Sequence, residues 1–345
     1  MDSDETNLAV DLIKKALNNN SSLLNLNDVY FKSNSMTKKI QKLLNLKALK
    51  IDESEIEEIK YFPPNLEEII ISNCTLIHFD TSSAPKSLIK ISLENNLLEF
   101  FADGNLFLNL VELNLSYNKL TNIPLIPPNL KKLNIERNEL EKIENISESN
   151  LEYLNISGND IQTLEGLPLT LKKLEISKNS IAIIDISNLI QLEYLNASSN
   201  DIVIINNNFP ETLIHIELNH NQLESIPDIN SNIVTLEMAD NQLKSLPKIK
   251  TFDYITKFSI SFNENIKITN EEKVQIEKIK LNTNNDLEDE TMDDSLDKSL
   301  VESLQNSTED SITSFSSNKS EKLMIKNNKK LPDKISIKLK RSYDL

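Results

Sequence analysis

The chain is short of the residues that most motif-bearing enzymes need. Its 345 residues include three glycines, Gly104, Gly158 and Gly166. Average usage would supply roughly 24. A phosphate cradle of the G-x-G-x-x-G kind needs its glycines almost adjacent, and G-x-x-x-x-G-K-[ST] needs a spaced pair. Neither spacing occurs. A single cysteine, Cys74, excludes an internal disulfide and a cysteine-based zinc site. There are three histidines and no tryptophan. Nucleotide-loop and metal-motif enzymes are thereby disfavoured, and no cofactor is expected.

Long apolar runs are missing too. No stretch of about 18 apolar residues is available to span a bilayer. The N-terminus, MDSDETNLAVDLIKKAL, is acidic and lacks the basic region and apolar core of a secretory signal. With one free thiol, these features point to an intracellular protein, expected in the cytoplasm. The net charge of -16 argues against nucleic acid or an anionic membrane as a partner of the whole chain. Residues 282–322 hold 11 acidic and 3 basic side chains, and residues 323–345 hold 2 acidic and 7 basic.

Asparagine is what the chain has in excess, with 46 copies. Much of it belongs to a repeat. LVELNLSYNKL starts at Leu110, LKKLNIERNEL at Leu130, LEYLNISGNDI at Leu151, LKKLEISKNSI at Leu171, LEYLNASSNDI at Leu192 and LIHIELNHNQL at Leu213. The shared frame is L-x-x-L-x-L-x-x-N-x-L-x-x-I/L. Weaker copies start at Leu46, Leu66, Leu88, Ile233 and Ile255, which makes eleven starts spaced 20–22 residues apart. The alternation at Leu113/Leu115 has period two and marks a strand with one inward face. One repeat cannot bury that face alone, so stacked repeats must share a continuous core.

This frame resembles the leucine-rich repeat family over about residues 46–268. The copies are similar both to the short repeats of bacterial effectors and to the intracellular 22-residue subclass. The resemblance implies an α/β fold: a curved solenoid with a parallel β-sheet on its concave face and mostly extended convex segments. Helical caps are expected at its ends. Residues 1–45 are expected to form the N-terminal helical cap, with Leu8, Leu12, Ala16 and Leu17 on one helical face and Met36, Ile40, Leu43 and Leu44 on another. A docking or targeting helix is the alternative there. Thr269 and Glu272 have capping-box spacing, so a short helix is expected over 269–281. Residues 282–345, acidic and then basic, are expected to be disordered. Thr291, Ser299 and Ser307 each precede an acidic residue by three, a pattern similar to acidophilic kinase sites.

Position nine of the frame is Asn in nine copies, from Asn96 to Asn263, and Ser54 or Cys74 in the first two. Its amide is expected to pair with backbone inside the turn. Cys74 therefore reads as structural. The ubiquitin-ligating bacterial effectors carry their cysteine in a separate C-terminal domain, and this chain has no cysteine after Cys74.

Functional residues are expected on the strand, between the buried leucines. Position three runs Lys132, Tyr153, Lys173, Tyr194, His215, and would span roughly 19 Å at the strand spacing of a sheet. Tyrosine suits interfaces because it buries much area and keeps a polar tip. Position five adds Asn134, Asn155, Glu175, Asn196 and Glu217. Arg137, Lys178 and His220 flank at position eight. Lys132, Tyr153, Lys173, Tyr194, His215, Arg137 and Lys178 are the candidate protein-binding residues. The plainer alternative is that an exposed sheet simply favours Tyr, Thr and charge. His215 and His220 bracket Glu217, but an open face offers no water-excluded pocket for metal or acid–base chemistry. The expected function is a non-enzymatic protein-binding scaffold, monomeric, whose partner is another protein. The alternative is a regulatory or effector subunit that docks a phosphatase, kinase or ubiquitin-ligase component.

Overall fold

The computed structural model describes residues 2–29, 38–101, 107–229 and 232–286. The tail expected to be disordered, with Thr291, Ser299 and Ser307, lies outside them from residue 287 onward.

Among the described residues, each turn contributes one short strand to a single parallel sheet of twelve. In chain order the strands are β1 (Leu23–Asn27), β2 (Ala48–Asp52), β4 (Glu68–Ser72), β6 (Lys90–Ser92), β7 (Glu112–Asn114) and β8 (Lys132–Asn134). They continue with β9 (Tyr153–Asn155), β10 (Lys173–Glu175), β12 (Tyr194–Asn196), β14 (His215–Glu217), β15 (Thr235–Glu237) and β16 (Lys257–Ser259). On the return side, β3 (Glu58–Ile59) pairs with β5 (His78–Phe79), and β11 (Ile183–Ile184) with β13 (Ile204–Ile205), both parallel. Elsewhere among the described residues the returns are largely extended or turn backbone.

The leucines decide this arrangement. Leu130, Leu133, Ile135 and Leu140 are fully buried, and so are their counterparts Leu151, Leu154, Ile156 and Ile161 one turn on. Burying such a side chain contributes roughly 1.5–3 kcal/mol, and no single turn could do it unaided.

Asparagine then ties each turn to the one before. Asn118 donates through Nδ2 to the carbonyls of Leu115 and Ser116 in its own turn, and to that of Leu93 in the preceding turn. Its Oδ1 accepts the N–H of Leu98, again in the preceding turn, at 3.0 Å. The same pattern recurs at every position-nine asparagine from Asn96 to Asn263. Ser54 reproduces part of it, accepting from the N–H of Val29 and donating to the Asp52 carbonyl. Cys74 is buried and its Sγ donates to the Ser72 carbonyl at 3.0 Å.

The residue before this position leaves the strand in the left-handed region at every turn. Asn95, Tyr117, Arg137, Gly158, Lys178, Ser199, His220, Asp240 and Phe262 all have φ between 51° and 65°. Only one of these is a glycine. L-residues pay about 1–2 kcal/mol for that conformation, which the stacked turns on either side must outweigh.

The N-terminal region departs from expectation in three ways. Strand β1 is a twelfth strand, paired in register with β2 from Leu23↔Ala48 to Asn27↔Asp52. A frame starting at Ser21 fits it, but its first position is polar and 25 residues separate it from Leu46. Helix α1 (Asp2–Asn18) buries Ala9, Ile13 and Ala16, whereas Leu8 and Leu17 are exposed. Two alanines let the helix backbone approach β1 closely, which a leucine face would prevent. Of the second expected helix, residues 38–40 are helical and 41–42 form a turn; Met36 lies outside the described residues.

At the other end, helix α2 (Asn270–Asp286) runs further than the 269–281 expected. Its capping box forms: Glu272 Oε2 accepts from Thr269 N at 2.7 Å, and Glu272 N donates to Thr269 Oγ1 at 3.2 Å. Ile276 and Ile279 are buried, and α2 packs on β16.

Candidate protein-binding face

Strands of the large sheet pair position three to position three. Lys132 therefore stands beside Tyr153, Tyr153 beside Lys173, Lys173 beside Tyr194, and Tyr194 beside His215. The structure thus places five of the seven candidate residues in one row on the solvent side of the sheet.

The row is a stack. The Lys173 ammonium lies 5.4 Å from the Tyr153 ring centroid and 4.5 Å from that of Tyr194. Both distances are within reach of a cation–π attraction. On the next strand, the His215 ring centroid is 5.8 Å from that of Tyr194, tilted by 43°. His215 Nδ1 is 3.0 Å from Thr235 Oγ1.

Position five lies alongside and supplies the carboxylates. Tyr194 donates its hydroxyl to Glu217 Oε1 at 3.1 Å, and Lys173 Nζ is 2.8 Å from Glu175 Oε1. Glu175 stands close enough to the Tyr153 hydroxyl to act on its proton. Burial, and then the Glu175 charge, push the Tyr153 phenol up to about 12. Burial and the Glu217 charge push Tyr194 up as well.

Two of the candidate cations are already matched within the chain. Lys132 pairs with Glu112 at 2.7 Å, and Lys173 pairs with Glu175. Arg137 and Lys178 do not join the row. They sit at position eight, past the strand, with φ of 51° and 55°. The Arg137 guanidinium lies 5.2 Å from the Tyr117 ring centroid, and its Nε is 3.7 Å from Glu136. His215 and His220 are likewise separate, because His220 Nδ1 is 2.8 Å from Asp240 Oδ2. Among the described residues, no group of three His, Cys, Asp or Glu side chains is placed to hold a metal.

The asparagines of position five have backbone work. Asn114, Asn134, Asn155 and Asn196 each accept, through Oδ1, the N–H two residues on. That is a local Asx turn, and it occupies their acceptor oxygens. An open recess of about 390 Å³ reaches the start of the row, its lining including Ser72, Ser92, Asn114, Glu112, Lys132 and Tyr153. The row of tyrosines was visible in the sequence column. The recess was not, although the small residues Ser72 and Ser92 signal it.

A parallel sheet built one short strand per turn, with an asparagine ladder along its edge, defines the class of leucine-rich solenoids. The Leucine Rich Repeat family model matches residues 109–128 and 150–174. The chain has the fold of a leucine-rich repeat solenoid. Among solved structures it is similar to YopM from Yersinia enterocolitica WA-314, with a TM-score of 0.51 and 21% identity over 75% of this chain and 66% of that one. It is also similar to the functional domain of InlJ from Listeria monocytogenes, with a TM-score of 0.61 and 21% identity over 72% of this chain and 55% of that one. The LRIM1/APL1C complex gives a TM-score of 0.56 and 22% identity over 67% of this chain and 45% of that one. The matches thus span less than two thirds of those chains, and at such identity the likeness is one of fold. No sequence match was found among curated proteins.

Proposed function

We propose that the chain is a non-enzymatic, monomeric scaffold of the cytoplasm that binds another protein on the exposed face of its sheet. The row Tyr153–Lys173–Tyr194–His215 is the observation that carries this reading. It presents two tyrosines, preordered by a cation and two carboxylates, across four adjacent strands. Preordered aromatic side chains lose little entropy on binding and are favoured at the centres of interfaces. Lys132 extends the row, and Arg137 and Lys178 flank it.

Two further points support a binding role over catalysis. The face is open, and burial pushes the thiol of the single cysteine, Cys74, up to about 11. The solved relative named as the LRIM1/APL1C complex is an assembly of proteins. Helices α1 and α2, packed on the two edge strands, serve as the caps of the solenoid.

The test replaces Tyr153→Ala and Tyr194→Ala together. The variant is expected to keep the wild-type circular dichroism spectrum and melting temperature within a few degrees, and to lose the protein that wild type retains from its native cell. Unchanged retention would sink the assignment.

A further inference from the structure

The row contains the same unit twice. Tyr153-Leu-Asn on β9 is followed by Lys173-Leu-Glu on β10, and Tyr194-Leu-Asn on β12 is followed by His215-Ile-Glu on β14. In the second unit the tyrosine hydroxyl donates diagonally to the glutamate of the next turn, Tyr194 to Glu217 at 3.1 Å, and in the first Glu175 is the carboxylate that acts on Tyr153.

The units differ in charge. In the first, the Lys173 ammonium is held against the tyrosine rings and sits 2.8 Å from Glu175. In the second, a histidine takes the lysine's place, and its Nδ1 is turned to Thr235. Glu217 has no Lys or Arg nitrogen within 4.0 Å among the described residues. It also stands in register with Glu237 on the next strand. The Glu237 side chain is only 13% exposed and already holds Lys257 at 2.9 Å and the Asn219 amide at 3.0 Å. Of these two adjacent carboxylates, only Glu237 has an ammonium in contact. Like charges directly opposite on neighbouring strands are unfavourable, and a cation placed between ring and carboxylate relieves them.

We propose that Tyr194, His215 and Glu217 receive a lysine or arginine side chain from the partner, held as Lys173 is held in the first unit. The partner surface is therefore a basic segment of protein. This rests on the sheet face being the binding surface and names the chemistry it selects. The first unit supplies the geometry: a cation near a tyrosine ring, in contact with the glutamate two residues along the neighbouring strand.

Fluorescence anisotropy with the full-length chain tests it. The probes are a labelled peptide of alternating lysine and serine and a matched peptide of alternating glutamate and serine. The basic peptide is expected to bind and the acidic one not. Glu217→Gln, which keeps an acceptor for Tyr194, and His215→Lys, which supplies the cation from within, are each expected to weaken binding about tenfold. Glu211→Gln removes one exposed charge outside the row and is expected to leave binding unchanged. Preference for the acidic peptide, absence of binding by either, or equal weakening by Glu211→Gln and Glu217→Gln would overturn the proposal. If the double tyrosine variant still loses its cellular protein while the peptide arms fail, the face stands and only the charge of its partner is wrong.

Discussion

Leu140 donates its backbone N–H to the side-chain oxygen of Asn159, one full turn further along the chain, at 3.0 Å. The same amide donates to the carbonyls of Ile135, Ile156 and Ser157. One side chain thereby satisfies buried backbone groups in two turns at once.

Asn159→Ala would strand those groups in a buried site. The expected cost is roughly 3 kcal/mol, at the upper end for an unsatisfied buried group. Urea unfolding followed by circular dichroism measures it. A loss under about 0.5 kcal/mol, the size of an ordinary surface change, would show that the ladder is not a source of stability.

The left-handed residues at the strand exits predict a gain from glycine. Phe262 has φ of 58° with a side chain 56% exposed, so Phe262→Gly relieves strain while giving up little burial. The expected stabilisation is about 0.5–1 kcal/mol. Gly158→Ala is the opposite case, because φ is +65° and the new Cβ would lie 2.9 Å from Arg137 Cγ. It is expected to lower the melting temperature, and differential scanning calorimetry of both variants compares the two signs.

Tyr153 is expected to titrate near 12 in the folded protein, against an ordinary value of 10.0. A folded-state value above the unfolded one means the folded chain holds the proton more tightly. That stabilisation is fully present below about pH 10 and is lost as pH rises through about 12. Difference absorbance of the phenolate against pH reads the titration. Glu175→Gln removes the charge that comes second only to burial among its causes, so it should bring the midpoint down.

Cys74 is expected to resist thiol reagents in the native state, since burial pushes it up to about 11 and leaves little thiolate at neutral pH. Reaction with a disulfide reagent should be slow until denaturant is added. Rapid labelling of the folded chain would contradict the burial of this position.

Most of the fold was legible because a core position admits few residue types. Leucine or isoleucine recurs wherever a turn must face the interior, and asparagine wherever an amide must join two turns. Strand β1 was hidden for the converse reason: Ser21 occupies a leucine position, and the linker to Leu46 is longer than the other spacings. The expected face of α1 was half right: Ala16 is buried and Leu12 packs on the core, but Leu8 and Leu17 are exposed and Ala9 and Ile13 take the inward places. On the sheet surface, the neighbours of each tyrosine could be read from the column once the register was known. What each side chain touches could not, because the reach of Tyr194 to Glu217 runs diagonally across two strands and depends on rotamers. The pairing of Lys132 with Glu112 had a signal in the alternating charges of position three, Glu68, Lys90, Glu112 and Lys132.

Strict pairing of position three with position three has a consequence for how such a surface can change. The interior is the same at every turn, so the outer row behaves as marks on a ruler, one mark per turn and about 4.8 Å between marks. Inserting a whole turn ahead of Leu151 would shift the Tyr153–His215 row by one mark relative to Lys132 and leave its own spacing intact. Inserting it between Tyr153 and Lys173 would break the stack without disturbing a buried leucine. Duplication of turns can therefore rewrite what this surface recognises while the protein beneath it stays folded.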